Sequence, residues 1–342
     1  MNVAVIDADF IGRKNHRFPN LCCMKISGYF KSAGERVTLK TDYDNLNRFD
    51  RVYVAKVFTD TPLPSAGMFG DPLDAPNIIK GGTGFFFDEA EPLPPQIEHS
   101  MPDYNLYDGV CNFPTYTDYS IGYLTRGCFR HCPFCVNRRS SKIVAHSPLK
   151  EFLDASRKKI CLLDDNFFGF DGWRDLLLEL RATGKPFVFK QGLDVRLLDE
   201  ARADLLFSSK YDGDFIFAFD DLADAPLIEE KLTLIRRYTK KRVKFYVLCG
   251  FDRAGKYDAE FWERDIDSIF ARAELLKRFG ALPYLMRHKN YLRSPFKKFY
   301  DTLCDWCNIP NCFLKLDFEQ FCNARSFRRK ILVHWRFKHG LS

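Results

Sequence analysis

Short hydrophobic runs alternate along most of the chain with longer segments in which apolar residues recur at helical spacing. Such alternation predicts an α/β fold whose strands are parallel. In the first part of the chain, a helix is predicted within residues 18–34, where Gly34 is a helix stop signal. The strands predicted around this helix are VAVI at 3–6, ERVTLK at 35–40, RVYVAKVF at 51–58 and NIIK at 77–80. This pattern predicts a small Rossmann-like domain over residues 1–87.

The second part of the chain, residues 119–292, repeats the strand-and-helix alternation. Its predicted strands are IGYLT at 121–125, KKICLLD at 158–164, PFVFK at 186–190, DFIFAF at 214–219, VKFYVLC at 243–249 and ALPYLM at 281–286. Its predicted helices lie within 173–184, 197–209, 226–241 and 261–280. Because about eight strands close a full TIM-type barrel, this pattern predicts an incomplete (β/α)6 barrel. Catalytic residues in such barrels follow the C-terminal ends of the strands.

Two segments fall outside this alternation. Residues 88–118 are rich in proline and lack periodicity, which predicts a linker wrapped on the surface. The GGTG run at 81–84 is interpreted as a tight turn, with a phosphate loop as the weaker alternative. Residues 293–342 follow the predicted barrel and contain both cysteines and many basic residues. We interpret them as a small C-terminal extension.

Composition narrows the class of protein. No apolar run approaches the roughly 20 residues that span a bilayer. The N-terminus is acidic where a signal peptide needs a basic flank. We therefore expect a cytoplasmic protein that does not bind a membrane. In that compartment the 12 cysteines are not expected to form disulfides, and metal ligation by some of them is the better interpretation.

The sequence TRGCFRHCPFC, at 125–135, places Cys128, Cys132 and Cys135 in a Cys-x3-Cys-x2-Cys run. Zinc is one interpretation, with His131 or His146 completing a Cys3His site, although a second short cysteine cluster of matching form does not lie close by in the sequence. The other interpretation is a [4Fe–4S] cluster in which three thiolates leave one iron open to a further ligand.

This run resembles the signature of the radical S-adenosylmethionine (SAM) enzymes, in which an aromatic residue, here Phe134, precedes the last cysteine. The resemblance extends to the preceding Thr-Arg-Gly and to the strand–helix repeats that follow. It implies that Cys128, Cys132 and Cys135 hold a [4Fe–4S] cluster and that SAM chelates the open iron. Reductive cleavage of SAM would then give a 5′-deoxyadenosyl radical, which abstracts a hydrogen atom from the substrate.

The resemblance also implies residues that contact SAM. After the second barrel strand, Asp164, Asp165 and Asn166 stand where the family often has Gly-Gly-Glu against the methionine amino group. This sequence departs from those letters but keeps hydrogen-bond acceptors. Capping of the following helix is the alternative role for Asp165 or Asn166.

Three further cofactor contacts are implied after later strands. Gln191 would contact the ribose, and Arg196 would bind the SAM carboxylate, since a guanidinium matches it with two parallel hydrogen bonds. A salt bridge from Arg196 to Asp194 or Asp199 is the alternative. Gly250, in LCGFD, matches the glycine-rich strand that lies behind the adenine.

The first domain resembles the cobalamin-binding-like domain that precedes the barrel in some radical SAM enzymes. Cobalamin domains often carry Asp-x-His-x-x-Gly after their first strand. This chain has Asp7-Ala-Asp9-Phe-Ile-Gly12, with Asp9 in the place of the axial histidine. Cobalamin binding is therefore not favoured, and a domain that helps to close the barrel or contacts substrate is the preferred interpretation.

Further cysteines lie in the C-terminal extension, at positions 304, 307, 312 and 322. They could ligate an auxiliary iron–sulfur cluster or a zinc ion. In a helix, Cys304 and Cys307 would share one face near Trp306, where they could instead pack as small apolar side chains.

The tail NARSFRRKILVHWRFKHG interleaves basic residues with Phe327 and Trp335, a composition that suits phosphate contact and base stacking. A solvated amphipathic helix is the alternative. We therefore expect a radical SAM enzyme, of transferase or oxidoreductase type, that acts on a nucleic acid, a phosphorylated molecule or a peptide. A flavodoxin- or ferredoxin-like protein would reduce its cluster. The competing hypothesis is a zinc-stabilised nucleic-acid-binding protein without catalysis.

Overall fold

A computed structural model describes residues 1–16, 18–65, 71–110 and 117–338. The chain is a mixed α/β protein with parallel sheets, which confirms the predicted class. It divides into two compact units. The first unit contains Met1–Asp165 and Lys185–Phe187, and the second contains Asn166–Gly184 and Val188–Ser342.

The first unit begins with a four-stranded parallel sheet in the order β2-β1-β3-β4. Its strands are β1 (Asn2–Asp7), β2 (Arg36–Lys40), β3 (Arg51–Ala55) and β4 (Ile78–Gly81). Helices α1 (Ala8–Gly12) and α2 (Leu21–Ser32) follow β1. Helix α2 starts where it does because the Asn20 side chain accepts the N–H of Cys23 at 3.3 Å, which satisfies one of the donors at the helix start.

Successive residues of β1 pack on opposite faces of this sheet, as strand geometry requires. Val3 and Val5 join one buried cluster with residues of α2, and Ala4 and Ile6 join a second cluster on the other face. The first cluster also buries apolar side chains of the segment predicted as a surface linker: Ile97, Leu106 and Tyr107. The prediction that this segment lies on the surface was therefore wrong for these side chains. Scattered apolar residues can be buried without forming the periodic pattern from which burial is predicted. Helix α3 (Thr83–Phe86) lies just before this segment, and α4 (Pro95–Glu98) lies within it.

The remainder of the first unit centres on the strands around the cysteine run. These are β5 (Tyr119–Gly122), the short hairpin β6 (Thr125–Arg126) and β7 (Val144–Ala145), and β8 (Lys159–Leu162). Strands β5 and β8 are parallel, in a sheet of order β5-β8-β9. Strand β9 (Phe187–Phe189) begins in this unit, where the N–H of Ile160 donates to the carbonyl of Pro186 at 2.9 Å.

The second unit contains a parallel sheet in the order β10-β11-β12. Its elements in chain order are α5 (Trp173–Ala182), α6 (Glu200–Phe207), β10 (Phe215–Ala218), α7 (Ala225–Tyr238), β11 (Val243–Cys249), α8 (Ala259–Arg278) and β12 (Leu282–Arg287). Val243, Phe245 and Val247 of β11 are buried, whereas the residues between them are partly exposed. One face of β11 is therefore packed and the other is partly exposed.

Four helices end the described chain: α9 (Lys297–Asn308), α10 (Pro310–Lys315), α11 (Phe318–Asn323) and α12 (Ser326–Lys338). Trp306 packs against Phe313 and Phe318, with ring centroids 5.0 and 5.4 Å apart. Among the described residues, no helix has the length and apolar character needed to cross a bilayer.

Every strand and helix that the hydrophobic pattern predicted in the first two domains is present, within a few residues of its predicted bounds. The structure adds the short hairpin, short helices and the helical C-terminal extension. The predicted boundaries at residues 87, 118 and 292 stay predictions.

Candidate functional site

Hairpin β6–β7 holds the cysteine loop, which we define as residues 127–143, at both of its ends. Gly127 has a φ of 99°, and a Cβ at this position would clash with the carbonyl oxygen of Lys142. The Ser140 hydroxyl oxygen accepts the N–H of Cys128 at 3.1 Å and donates to the same carbonyl of Lys142 at 3.1 Å. Glycine is therefore required where the two ends of the loop meet.

The three cysteines of the motif are half-buried in this loop. The N–H of Arg130 lies 3.5 Å from Sγ of Cys128, and the N–H of Asn137 lies 3.4 Å from Sγ of Cys135. The N–H of Cys135 also donates to the carbonyl of Cys132 at 2.9 Å. Backbone N–H groups directed at cysteine sulfurs stabilise thiolates and tune the potential of iron–sulfur clusters.

The donor set fits a [4Fe–4S] cluster in number and chemistry. Burial raises the pKa of Cys135, and the nearby thiolates of Cys132 and Cys128 raise it further, an effect that bound iron would reverse. Within the described part of the chain, no group of three or more His, Cys, Asp or Glu side chains is arranged to hold a metal ion. The loop would therefore have to draw its three sulfurs together on binding. Phe134 is half-buried in the same loop.

The two histidines considered as zinc ligands have other partners. Nδ1 of His131 lies 2.9 Å from the carbonyl oxygen of Arg138. Nε2 of His146 lies 3.3 Å from Oε1 of Glu98, and its Nδ1 lies 3.0 Å from the hydroxyl of Ser147. Both ring nitrogens of His146 are thus engaged away from the cysteines, which disfavours it as a fourth ligand.

Asp165 connects the predicted cofactor residues to the cysteine loop. Its Oδ2 accepts the N–H of Gly127 at 2.8 Å, and its Oδ1 accepts the side-chain amide of Asn137 at 2.7 Å. Nε of Arg126 lies 3.6 Å from Oδ2. Asp165 therefore braces the loop on both sides of the cysteine motif. Asn166 takes the N-cap position of the 3-10 turn that follows, in the second unit.

Asp164, the neighbour of Asp165, supports the strand that leads into the loop. It is only 2% exposed, and it accepts the N–H of Leu124 at 3.2 Å and the N–H of Thr125 at 2.7 Å. The Thr125 hydroxyl donates to it at 2.7 Å. Burial raises the pKa of Asp164 to about 6 against the effect of these hydrogen bonds. Both carboxylate oxygens of Asp164 already accept hydrogen bonds from Leu124 or Thr125, so a direct contact with SAM would have to replace these bonds.

An acidic segment contacts the cysteine loop beyond Cys135. Oδ2 of Asp88 accepts from Nε of Arg138 and from Nε of Arg139, both at 2.7 Å, and Nη2 of Arg139 lies 2.7 Å from Glu89. The hydrogen bond from Arg138 is the main cause of the lowered pKa of Asp88. Sequence reasoning missed this connection, although the opposite charges of DE at 88–89 and RR at 138–139 were its signal.

The remaining predicted cofactor residues lie in the second unit. Arg196 donates from Nε to Oδ1 of Asp194 at 2.7 Å and from Nη2 to Oδ2 at 3.3 Å. Its Nη1 lies 3.6 Å from Asp224. This is the Asp194 salt bridge that the sequence offered as an alternative to binding the SAM carboxylate. Gln191 is exposed just after β9.

Gly250 occupies a closely packed turn after β11. It has a φ of 71°, and a Cβ there would come within 2.8 Å of Cβ of Tyr291. Its N–H donates to Oδ2 of Asp265 at 2.8 Å, and the Tyr300 hydroxyl donates to the same oxygen at 2.6 Å. The turn geometry therefore accounts for this glycine independently of any cofactor.

In the first domain, Asp9 supports a neighbouring loop. Its carboxylate accepts the N–H of Val57 at 2.6 Å, the N–H of Phe58 at 3.3 Å and the hydroxyl of Thr61. At Gly12, a Cβ would come within 2.8 Å of Cγ2 of Thr61. This partial match to the cobalamin motif thus has a local structural role in the chain.

The C-terminal cysteines lie in or beside a packed helical core. Cys307 and Cys322 are buried, and burial raises the pKa of Cys307. Sγ of Cys304 lies 3.6 Å from the carbonyl of Leu285 and accepts from the side-chain amide of Asn308 at 3.1 Å. These contacts match the packing alternative, and a second metal centre that also uses Cys312 stays a prediction.

The basic tail contains helix α12. Arg328 lies 3.2 Å from Asp305 and stacks over the ring of Phe321 at 4.0 Å, so it serves at least to attach the helix. The side chains of Trp335 and its C-terminal neighbours, which the sequence linked to base stacking, lie outside the described residues.

No protein-family model matches this chain, and neither a curated protein nor a solved structure matches it.

Proposed function

We propose that this chain is a radical SAM enzyme. The observation that carries the proposal is a loop with three half-buried cysteines, held at its neck by Gly127 and Ser140 and braced by Asp165. Three thiolates are the number that leaves one iron of a [4Fe–4S] cluster available to a substrate. A structural zinc site would instead need a fourth protein ligand.

The arrangement of strands supports the fold that this function needs. We propose that β5, β8, β9, β10, β11 and β12 form an incomplete (β/α)6 barrel. In both three-stranded sheets, β5-β8-β9 and β10-β11-β12, the spatial order of the strands follows their order along the chain. Leu193, just after β9, forms a parallel bridge with Phe217 of β10. The order β2-β1-β3-β4 of the first sheet likewise supports a Rossmann-like domain.

When bound, a reduced [4Fe–4S] cluster and SAM would supply a 5′-deoxyadenosyl radical for hydrogen abstraction. The chain would hold the cluster through Cys128, Cys132 and Cys135. Asp165 would keep the loop in position through Gly127 and Asn137, as it does in the structure.

Residues that follow the later strands would supply contacts to SAM. In this proposal Arg196 would exchange its bond to Asp194 for the SAM carboxylate, and Asp194, whose side chain is 7% exposed, would keep the hydrogen bond from the backbone N–H of Arg196. Gln191 would contact the ribose, and the turn at Gly250 would lie behind the adenine. An external one-electron donor, flavodoxin- or ferredoxin-like, would supply the electron to the cluster.

The test is to purify the full chain without oxygen and to measure iron, sulfide, zinc and the visible spectrum. About four irons and four sulfides per chain are expected, with a broad absorbance that dithionite bleaches. Addition of SAM to the reduced protein should yield 5′-deoxyadenosine. A colourless protein that contains stoichiometric zinc would refute the proposal and support the zinc-stabilised alternative.

Two cysteine variants provide the control. Cys128→Ala should abolish iron binding and 5′-deoxyadenosine formation. Cys304→Ala, also half-buried but placed in the C-terminal extension, should retain both. If the parent contains about four irons, equal iron loss in the two variants would contradict the assignment of the cluster to the cysteine loop. About eight irons in the parent, reduced to about four by Cys304→Ala, would indicate an auxiliary cluster.

A further inference from the structure

The partly exposed face of β11, together with the neighbouring residues of β12, carries an aromatic surface. In the parallel register of β11 and β12, Tyr246 lies opposite Tyr284, and Leu248 lies opposite Met286. These side chains lie on the face opposite to the buried residues of β11. Tyr284 is 41% exposed and Met286 is 43% exposed in the whole chain. Adjacent large apolar side chains that remain exposed often mark a binding surface.

The two tyrosines are held in a fixed arrangement. Their ring centroids are 5.8 Å apart with an interplanar angle of 66°, an edge-to-face pair. The Tyr246 hydroxyl donates to the carbonyl of Lys190 at 3.2 Å, which fixes its ring. Tyr284 is the more exposed of the two, and its ring position is supported before any ligand binds.

Positive charge continues directly from this surface along the chain. The segment RHKNYLRSPFKK, at 287–298, contains basic residues and no acidic one. Arg287 pairs with Asp301, whereas Lys289, Lys297 and Lys298 are exposed.

Helix stability does not account for the last two lysines. Both lie in the first turn of α9, where the helix dipole disfavours cations. Lys289 follows Met286 by three residues, so their Cα atoms are within about 11 Å of each other. A single ligand can therefore contact the aromatic surface and the start of the basic segment together.

We propose that this surface, formed by Tyr246, Tyr284 and Met286 and continued along the chain by Lys289, Lys297 and Lys298, binds single-stranded nucleic acid. An unpaired base stacks on Tyr284, and the lysines contact phosphates of the same strand. Stacking requires a base whose flat face is not covered, which favours a single strand over a duplex. The acid-free basic segment favours a polyanion over a peptide. That this nucleic acid is the enzyme's substrate rests on the proposed function, whereas the binding itself does not.

The test uses the full chain and fluorescein-labelled 12-mers: single-stranded RNA, single-stranded DNA of the same sequence, and the DNA duplex. Fluorescence anisotropy at several salt concentrations gives the dissociation constants. At least one single strand should bind more tightly than the duplex. Tyr284→Ala should weaken that binding about fivefold or more, and Tyr284→Phe should retain it, because stacking needs the ring and not the hydroxyl. Circular dichroism verifies that both variants are folded.

Matched controls distinguish binding at this surface from nonspecific attraction of nucleic acid to basic residues elsewhere in the protein. Tyr238→Ala, at a tyrosine that is 36% exposed on α7, should leave binding unchanged. The double variant Lys297→Gln/Lys298→Gln should lower the slope of log K against log salt by about 1.4, or about 0.7 for each phosphate contact to a single strand. The adjacent exposed pair Lys240→Gln/Lys241→Gln should change it less.

Absence of binding, preference for the duplex, or equal affinity of Tyr284→Ala and the parent would each overturn the proposal. If the purified parent contains no iron but still binds the single strand, the proposal for this surface is supported and the radical SAM proposal fails. Iron and 5′-deoxyadenosine without nucleic-acid binding would leave the radical SAM proposal intact and overturn this one.

Discussion

The substitution Asp164→Asn tests whether a buried acid holds the strand that enters the cysteine loop. The pKa of Asp164 rises from an ordinary value of 3.8 to about 6, which corresponds to about 3 kcal/mol. Because the pKa is higher in the folded state, that state binds the proton more tightly. This contribution to stability is complete below about pH 4 and is lost as the pH rises through about 6.

Asparagine does not titrate, so the variant should lack this contribution. The stability of the parent relative to the variant should therefore fall by about 2.4 kcal/mol between pH 4 and pH 8. The substitution also replaces one carboxylate oxygen by an NH2 group, so one backbone N–H loses its hydrogen-bond acceptor at every pH. This loss costs about 1–3 kcal/mol. That cost does not depend on pH, so the change with pH isolates the buried carboxyl.

Urea unfolding under anaerobic conditions, followed by far-ultraviolet circular dichroism, measures this difference. Tryptophan fluorescence is unsuitable because all four tryptophans belong to the second unit. Asp74→Asn, at a surface side chain that is 76% exposed, controls for the loss of one negative charge. A difference between parent and Asp164→Asn that stays constant from pH 4 to pH 8 would refute the reasoning.

Three other predictions concern the surroundings of the loop. Asp88→Asn should speed iron loss from the reconstituted protein about twofold or more, because its contacts with both arginines weaken. Glu89→Gln should have a smaller effect, and equal rates of iron loss from the two variants would contradict this prediction. Gly127→Ala should reduce bound iron to about half or less through its clash, whereas Gly184→Ala, which also has a positive φ but open space, should not. Burial of Glu98 opposes its ionisation, but contacts with His146 and Lys25 lower its pKa to about 2. Its contribution to stability should thus be lost as the pH falls from about 4.5 towards 2, and urea unfolding of Glu98→Gln at pH 3 and pH 6 should show less acid sensitivity than the parent.

The sequence predicted the regular elements because their periodicity is strong. Strand β11 alternates buried and partly exposed residues along its whole length, and α8 buries a stripe at helical spacing. Hairpin β6–β7 has only two residues in each strand, too few for any period to be visible. The burial of Ile97 and Leu106 was likewise hidden, because it depends on packing against a distant helix.

The cysteine spacing could be read directly, whereas the groups that support it could not. Ser140, Asn137 and Asp88 act through hydrogen bonds to residues that no local pattern connects to them. Asp164 and Asp165 were predicted together as cofactor contacts. Adjacent residues in extended chain point in opposite directions, so one supports β6 and the other reaches the loop.

The division of the chain into units has a consequence for how the cysteine motif can be inherited or transplanted. The first unit contains Met1–Asp165 and, in addition, Lys185–Phe187, which follow helix α5 in the sequence. Within these three residues, the carbonyl of Pro186 accepts from the N–H of Ile160, which belongs to β8, the strand that precedes Asp164. A fragment that ends at residue 165 would therefore expose an unpaired strand edge. Transfer of the cysteine loop into another protein would therefore require the chain through Phe187, and not only the residues up to Asp165.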